Sequence, residues 1–220
     1  AGDITFSADG DIIIADISTT GTAAITAGAA IYDDNDSGVD LNAGVAVLTA
    51  GDGTSLSDAD IMLDVNTADL TATADNDIAI SNAASATVAT LTSRVSGDIQ
   101  YSQAGDVDVT ATTEAGNITV LADVDITATS VIAGGSGSDA YLVAGGGLGV
   151  NYIEAETVEL SVTGNIVEDT PDVDEDIVAT NLIIATTGSI GDIGTSSFIA
   201  TKVDNIAADA SGDVYIQNTG

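Results

Sequence analysis

The chain has 220 residues, 45% of them hydrophobic, but only five Tyr, two Phe and no Trp, so its core must be built from aliphatic side chains. Thirty-five acidic residues face two basic ones, Arg94 and Lys202, for a formal net charge of −33. This charge excludes a nucleic-acid partner, because phosphate binding needs clustered Lys and Arg. The chain has no Cys, which excludes disulfides. No apolar run approaches the ~20 residues of a membrane span, so we expect no membrane insertion.

Alternation of aliphatic and polar residues predicts short strands along the whole chain. Almost no window favours a helix, since Asp, Gly, Thr and Val dominate. The acidic stretch Glu168–Asp176, which contains the single proline Pro171, is predicted to be a loop that leaves the coil. The predicted strands, in chain order, are Ile4–Phe6, Ile12–Ala15, Val45–Leu48, Ile61–Val65, Ile78–Ile80, Ile99–Tyr101, Val107–Thr110, Ile118–Leu121, Val158–Val162, Leu182–Ala185 and Val214–Gln217.

A turn-and-strand phrase, Gly-Asp-(Ile/Val), precedes or begins many of these strands. Its glycine can adopt a positive φ, and the Asp or Asn side chain can bond the backbone of its turn. A repeat of this size cannot bury its apolar face alone, so its copies must stack as a solenoid. The phrase occurs at Gly2, Gly10, Gly97, Gly105 and Gly212, with variants at Gly116, Gly164 and Gly188.

Three alignments define the repeat. Residues 97–112 match residues 116–131 at an offset of 19, which places Thr110 on Thr129. Residues 2–14 match residues 97–109 at an offset of 95, or five times 19. Gly164, Gly188 and Gly212 follow a longer step of 24.

The predicted fold is therefore all-β: a single-stranded parallel β-helix (solenoid), which we expect to be right-handed, with coils of about 19–24 residues. Residues 1–220 are expected to form one continuous segment, and 168–176 an acidic loop excursion. About ten coils stacked roughly 4.8 Å apart would make a rod on the order of 50 Å long. Neither end shows the polar cap of a free solenoid, so we expect this segment to belong to a longer repetitive protein.

The phrases Gly97–Thr110 and Ala115–Thr129 resemble the filamentous-haemagglutinin-like repeats of large secreted bacterial exoproteins and adhesins. The segments Thr187–Gly191, Phe198–Ala208 and Ser211–Ile216 are similar to a longer repeat of giant members. The resemblance implies a right-handed parallel β-helix that is exported and acts as a stalk or adhesin at the cell surface. It also implies that its partners are adjacent repeats of the same or identical chains, and cell-surface or matrix glycans.

Catalysis is not expected. The chain has no His, no Cys and a single Lys, and no carboxylate pair stands out among 35 for glycoside hydrolysis. The alternative is a carbohydrate-active β-helix enzyme or lectin, in which Arg94 is the one plausible base of a lyase. An aligned row of exposed aromatics would favour it, but the tyrosines lie at irregular offsets.

No cofactor is required by this interpretation, but calcium binding is possible, since this ion takes six to eight oxygen ligands. The candidate metal site is Asp172, Asp174 and Asp176, whose spacing by two places them on one side of an extended backbone. The turn Asp33–Asp36 before Gly38 is a second oxygen-rich segment. Residues Gly134–Tyr141 fit the calcium nonapeptide phrase once, although a Gly/Ser turn explains them better.

Thr-Ala-Thr triplets at 71–73, 110–112 and 127–129 suggest a flat ice-binding face. Their offsets of 39 and 17 predict that the triplets do not stack evenly, and Thr is in any case a favoured outward residue of strands. The sequence therefore argues against ice binding.

Overall fold

The computed structural model describes residues 2–34, 38–51, 62–170, 174–192 and 197–220. These residues form twenty-two strands and no helix. The first eleven strands are β1 Ile4–Ala8, β2 Ile12–Ile14, β3 Ile17–Ser18, β4 Thr22–Ala27, β5 Ile31–Asp33, β6 Leu41–Asn42, β7 Val45–Ala50, β8 Leu63–Asn66, β9 Asp69–Ala74, β10 Ile78–Asn82 and β11 Ala86–Ser93. The remaining strands are β12 Ile99–Gln103, β13 Asp106–Thr113, β14 Ile118–Ala122, β15 Ile126–Ala133, β16 Asp139–Ala144, β17 Leu148–Val150, β18 Ile153–Val162, β19 Ile166–Glu168, β20 Ile177–Thr186, β21 Ile199–Ala210 and β22 Ile216–Asn218.

Every pairing between these strands is parallel, and most strands pair with the equivalent strand of the next coil. Twenty strands are joined into one sheet, and β2 pairs with β5 in a second, two-stranded sheet. One ladder runs through β1, β4, β7, β9, β11 and β13, and a second through β6, β8, β10, β12, β14 and β16. The result is a β-solenoid of about 10 turns, which confirms the predicted parallel β-helix.

The register confirms two of the three alignments. Ile99 pairs with Ile118, and Val107 with Ile126, which are steps of 19. Isolated bridges from Ile166 to Ile190 and from Ile190 to Val214 are steps of 24.

The alignment of residues 2–14 with residues 97–109 at an offset of 95 is wrong, and the alignment at an offset of 19 holds only as far as Val109. Ile4 stacks through Ala23 and successive coils onto Val109 rather than Ile99, because the intervening coils are not all 19 residues long. A β-bulge after Val109 places Thr110 opposite Ser130 instead of Thr129. Such a bulge adds one residue to a coil without ending the ladder.

Several strands were not predicted, among them β4, β9, β11 and β15–β17. Their inward positions are often Ala, as at Ala72 in β9 and Ala89 in β11, both fully buried. A small inward residue weakens the apolar alternation from which strands are read. At the end of the chain the last strand begins at Ile216 and not at Val214, which makes only an isolated bridge.

The core is a narrow column of Ile, Val, Leu and Ala from the inward positions of successive coils. In β13, Val107, Val109 and Ala111 are buried, whereas Asp106 and Asp108 are exposed. The predicted aliphatic core is thus confirmed among the described residues.

One corner of the core is polar and fully hydrogen-bonded. The Asn82 amide nitrogen donates to the carbonyl of Thr67 at 3.0 Å, to Thr87 Oγ1 at 2.9 Å and to the Tyr101 hydroxyl at 3.2 Å. The Tyr101 hydroxyl donates to Gln103 Oε1 at 2.6 Å. Burial raises the pKa of Tyr101 to about 12, so its proton stays in place to donate this bond. The network satisfies side chains that would otherwise be costly to bury.

Close stacking leaves no room for side chains at some turns. A Cβ on Gly105 would overlap the backbone carbonyl oxygen of Ser85 in the preceding coil. In contrast, a Cβ on Gly10 would meet no atom within 4 Å. The close approach of coils therefore requires a glycine at Gly105 but not at Gly10.

Candidate functional site

Acidic turn residues accept hydrogen bonds from the backbone of the next coil. Asp98 Oδ1 accepts a hydrogen bond from the amide of Asn117 at 2.7 Å, and Asp77 Oδ1 accepts one from the amide of Asp98 at 2.8 Å. Asn117 Oδ1 in turn accepts from the amide of Asp139 at 2.9 Å. A second column follows the same rule, since Asp106 Oδ1 accepts from the amide of Asp125 at 3.2 Å.

These columns define the amide ladder, a set of side-chain oxygens that each bind the backbone of the following coil. Hydrogen bonds to charged acceptors are stronger than neutral ones, so the ladder offsets part of the repulsion between stacked carboxylates. The sequence offset of 19 places Asp106 beside Asp125, as the register of the neighbouring Val107 and Ile126 confirms, but it did not reveal this compensation. Further members, each named by its acceptor, are Asp3, Asp11, Asp40, Asp125, Asn165, Asp176 and Ser189.

The predicted metal site at Asp172, Asp174 and Asp176 lies only partly in the described chain. Asp172 is outside the described residues. Asp174 is exposed, whereas Asp176 is buried directly before β20, and its Oδ2 accepts from the amide of Ala200 at 2.7 Å. Asp176 is thus a member of the amide ladder. Glu168, at the other end of the predicted loop, belongs to β19 and accepts a hydrogen bond from Ser197 Oγ at 2.7 Å.

Asp33 and Asp34, from the second oxygen-rich segment, lie close to Asp40, which precedes β6, whereas Asn35 and Asp36 lie outside the described residues. One carboxylate oxygen from each of Asp33, Asp34 and Asp40 lies within 4.8 Å of the others. Asp33 and Asp40 are buried and Asp34 is exposed. Burial raises the pKa of Asp40 to about 6, against the opposing hydrogen bond from the Asp64 amide, and the negative charges of Asp33, Asp64 and Asp34 raise it further.

Asp40 was missed from the sequence, although Asp33 carried a signal. Asp33 alternates with Tyr32 and so shares the inward face of β5 with Ile31. A carboxylate at an inward position is unusual and indicates a specific partner. Asp40 had no such signal, because nothing in the local pattern shows that its carboxylate lies near that of Asp33.

In the segment Gly134–Tyr141, residues 134–138 form a turn and Asp139–Tyr141 begin β16. Gly135 and Gly137 have φ values of 91° and 80°, and the Ser138 hydroxyl donates to the carbonyl of Gly134 at 2.5 Å. The amide of Gly137 donates to Glu156 Oε2 at 2.6 Å. These contacts are those of a tight turn, which agrees with the Gly/Ser-turn interpretation.

The candidate catalytic and glycan-binding features are scattered. Arg94, the proposed lyase base, forms an ion pair with Asp75 at 2.6 Å and donates to the carbonyl of Ala50 at 3.1 Å, so its guanidinium binds neighbouring coils. Tyr101 is buried, and the Tyr152 hydroxyl donates to Glu154 Oε2 at 2.6 Å. Burial, followed by the hydrogen bond and charge of Glu154, raises the pKa of Tyr152 to about 12. The described tyrosines do not form a row.

One open groove crosses four coils near the end of the chain. It has a volume of about 460 Å³ and is lined by Glu154, Glu156, Thr180, Lys202 and Asp204 together with small apolar residues. No aromatic side chain lines it. The groove lacks the stacking surface that sugar binding usually employs.

The first two threonine triplets stack, contrary to the expectation from their offset. The offset of 39 between the first two triplets divides into two coil steps, because β11 supplies Thr90 and Thr92 between them. Only the triplet at 127–129 stands apart, since Thr127 pairs with Asp108. The stacked residues, here called the threonine face, are Thr26, Thr49, Thr73, Thr92 and Thr112 in one column and Thr71, Thr90 and Thr110 in the next.

No helix long and apolar enough to cross a membrane occurs among the described residues. Comparisons with models of protein families, with curated proteins and with solved structures found no match to this chain.

Proposed function

We propose that this chain is a non-enzymatic structural and adhesive segment of a secreted fibre or adhesin at the cell surface, where it acts as a stiff acidic rod. The observation that carries the proposal is the amide ladder. Many coils are bound to the next both by parallel strands and by turn side chains, so bending the rod would break bonds at its corners as well as in its sheets. Its partners are adjacent repeats of the same or identical chains, and cell-surface or matrix glycans.

The acidity supports the same function. A formal charge of −33 prevents close association of rods side by side and keeps an extended surface hydrated. The resemblance to filamentous-haemagglutinin-like repeats points in this direction too, since those repeats form exported stalks. The functional surface is then the outside of the rod rather than a cleft.

Immunogold labelling of intact producing cells tests the location. Antibody raised against the purified chain should label the cell surface and any filaments that extend from it. Antibody absorbed with the same chain, and cells that lack the gene, provide the controls. Label that appears only inside sectioned cells would overturn the proposal.

The carbohydrate-active alternative predicts a different result. Incubation of the purified chain with a panel of acidic and neutral polysaccharides should release no reducing ends and no unsaturated products. Release that is lost in a Glu154→Gln and Glu156→Gln double variant would place a glycosidase or lyase in the groove. Saturable glycan binding without cleavage, lost in the same variant, would indicate a lectin.

A second candidate function is favoured by the threonine face. Its hydroxyl and methyl groups repeat at roughly 4.8 Å between coils and about 6.7 Å along a strand, which is a regular lattice that can order a layer of water. When the two columns are followed through the ladder from β1 to β15, neither contains an acidic residue, although the chain has 35 acidic residues. Binding to ice is the activity that such a surface would support.

Inhibition of ice recrystallisation by the purified chain tests this second function. Thr92→Tyr, at the centre of the face, should abolish the inhibition. Thr119→Tyr, outward on β14 in the other ladder, should preserve it. Equal activity of both variants, or no activity in the unmodified chain, would remove ice binding as a candidate.

A further inference from the structure

The turn between β5 and β6 holds three carboxylates around one point. Asp33 ends β5, Asp34 follows it, and Asp40 directly precedes β6. One oxygen of each lies within 4.8 Å of the other two. Three negative charges at this separation repel one another strongly where water is excluded.

Asp40 distinguishes this cluster from the exposed acidic turns. Its side chain is fully buried, with a relative exposure of 0%. Oδ2 accepts a hydrogen bond from the amide of Asp64 at 3.0 Å, but Oδ1 has no hydrogen-bond partner among the described residues. Asp98 occupies an equivalent place in the amide ladder but is exposed, so water can satisfy its second oxygen. A buried carboxylate oxygen without a partner is costly unless a cation binds it.

We propose that Asp33, Asp34 and Asp40 bind one calcium ion. Hard carboxylate oxygens favour calcium, magnesium or manganese over softer metals. Calcium takes its oxygens at about 2.3–2.6 Å in flexible geometry, whereas magnesium demands near-ideal octahedral geometry and keeps several of its waters. Three carboxylate oxygens that lie within 4.8 Å of one another can meet in the flexible shell of one calcium ion. Water and backbone carbonyls complete the six to eight oxygens that calcium takes.

The ion would bind the turn to the coil that follows. Oδ1 of Asp40 would contact the ion while Oδ2 holds the Asp64 amide, so a single side chain connects the metal to β8. Asp33 connects the same ion to β2, because β5 pairs with β2 in the preceding coil. Calcium at this position would stabilise the early part of the stack. This inference does not depend on the proposed role as a surface rod.

Isothermal titration calorimetry on the chelator-stripped chain tests the site. Calcium chloride is added up to about 5 mM, which is above the ~10⁻⁴–10⁻³ M dissociation constants of extracellular calcium modules, in about 0.15 M salt to screen the general acidity. We expect one saturable calcium site and at least tenfold weaker binding of magnesium. Absence of saturable calcium binding would overturn the proposal.

Substitutions locate the site. Asp40→Asn should weaken calcium binding at least tenfold, and Asp34→Asn, which alters an exposed side chain, should weaken it without affecting folding. Asp98→Asn is the matched control, because it removes the charge of an amide-ladder member outside the cluster and should preserve the affinity. Circular dichroism checks the fold of each variant. Unchanged affinity in both cluster variants would refute the site.

The acidic segment near Pro171 provides the decisive comparison. A triple variant with Asn at Asp172, Asp174 and Asp176 should retain the calcium affinity of the unmodified chain. Loss of binding in that variant, with retention in Asp34→Asn, would place the ion there and overturn the assignment to Asp33, Asp34 and Asp40.

Discussion

Replacement of Asp98 by alanine separates the two opposing roles of the acidic turn residues. The side chain accepts a hydrogen bond from the amide of Asn117 at 2.7 Å, and its charge lies one coil from that of Asp77. If repulsion dominates, the alanine variant should be more stable than the unmodified chain. If the amide ladder dominates, it should be less stable.

The magnitudes favour the ladder. A charge-assisted hydrogen bond contributes about 1.5 kcal/mol at the low end of its range, which suits an exposed site. Two unit charges roughly 4.8 Å apart in water repel by about 1 kcal/mol at low salt. Asp98→Ala should therefore lower the free energy of unfolding by about 0.5 kcal/mol at low salt. In about 1 M salt, where the screening length is about 3 Å, the cost should rise to about 1.5 kcal/mol.

Urea denaturation followed by far-UV circular dichroism measures this difference at about 10 mM and about 1 M sodium chloride, with chelator present in both to remove divalent cations. Asp98→Asn is the matched control, since it keeps an acceptor oxygen but removes the charge. Its loss of hydrogen-bond strength and its relief of repulsion nearly cancel at low salt, so its midpoint should be close to that of the unmodified chain. An alanine variant that is more stable at low salt, or whose cost does not depend on salt, would refute this reasoning.

Three other outcomes are expected. Tyr101→Phe removes a buried hydroxyl and leaves Gln103 Oε1 without its donor, so it should lower the free energy of unfolding by about 1–3 kcal/mol, and an unchanged urea midpoint would contradict the buried network. Gly105→Ala should cost about 1–3 kcal/mol by overlap with the preceding coil, whereas Gly10→Ala should leave the midpoint unchanged; equal effects would argue against the stacking geometry. In calcium-free buffer, the unmodified chain should gain thermal stability relative to Asp40→Asn as the pH falls. The pKa of Asp40 is about 6 in the folded state, which is above its value in the unfolded chain. The stabilisation is therefore complete below about pH 4 and is lost as the pH rises through about 6. If the melting temperatures of the unmodified chain and Asp40→Asn differ by the same amount across this pH range, the raised pKa of Asp40 would be contradicted.

The sequence by itself determined the architecture of this protein. Period-two alternation and a repeated glycine turn admit few folds, since each coil is too small to bury its own apolar face and must stack on the next. The step of 19 residues could be read from the sequence because Ile99 and Ile118 recur with the turn, and the step of 24 because Gly164, Gly188 and Gly212 do. The Ala-rich strands β9 and β11 escaped detection, because small inward residues weaken the same pattern.

The register and the sites were decided only by the tertiary structure. Because coil length varies, the column of stacked residues that begins at Ile4 reaches Val109. For the same reason, Thr90 and Thr92 complete the threonine face, which the sequence offsets alone had argued against. A carboxylate oxygen of Asp40 lies within 4.8 Å of one of Asp33, a proximity that the local sequence pattern does not reveal. A local pattern specifies which side of a strand a residue faces, but the contacts between coils depend on the summed lengths of all the turns before them.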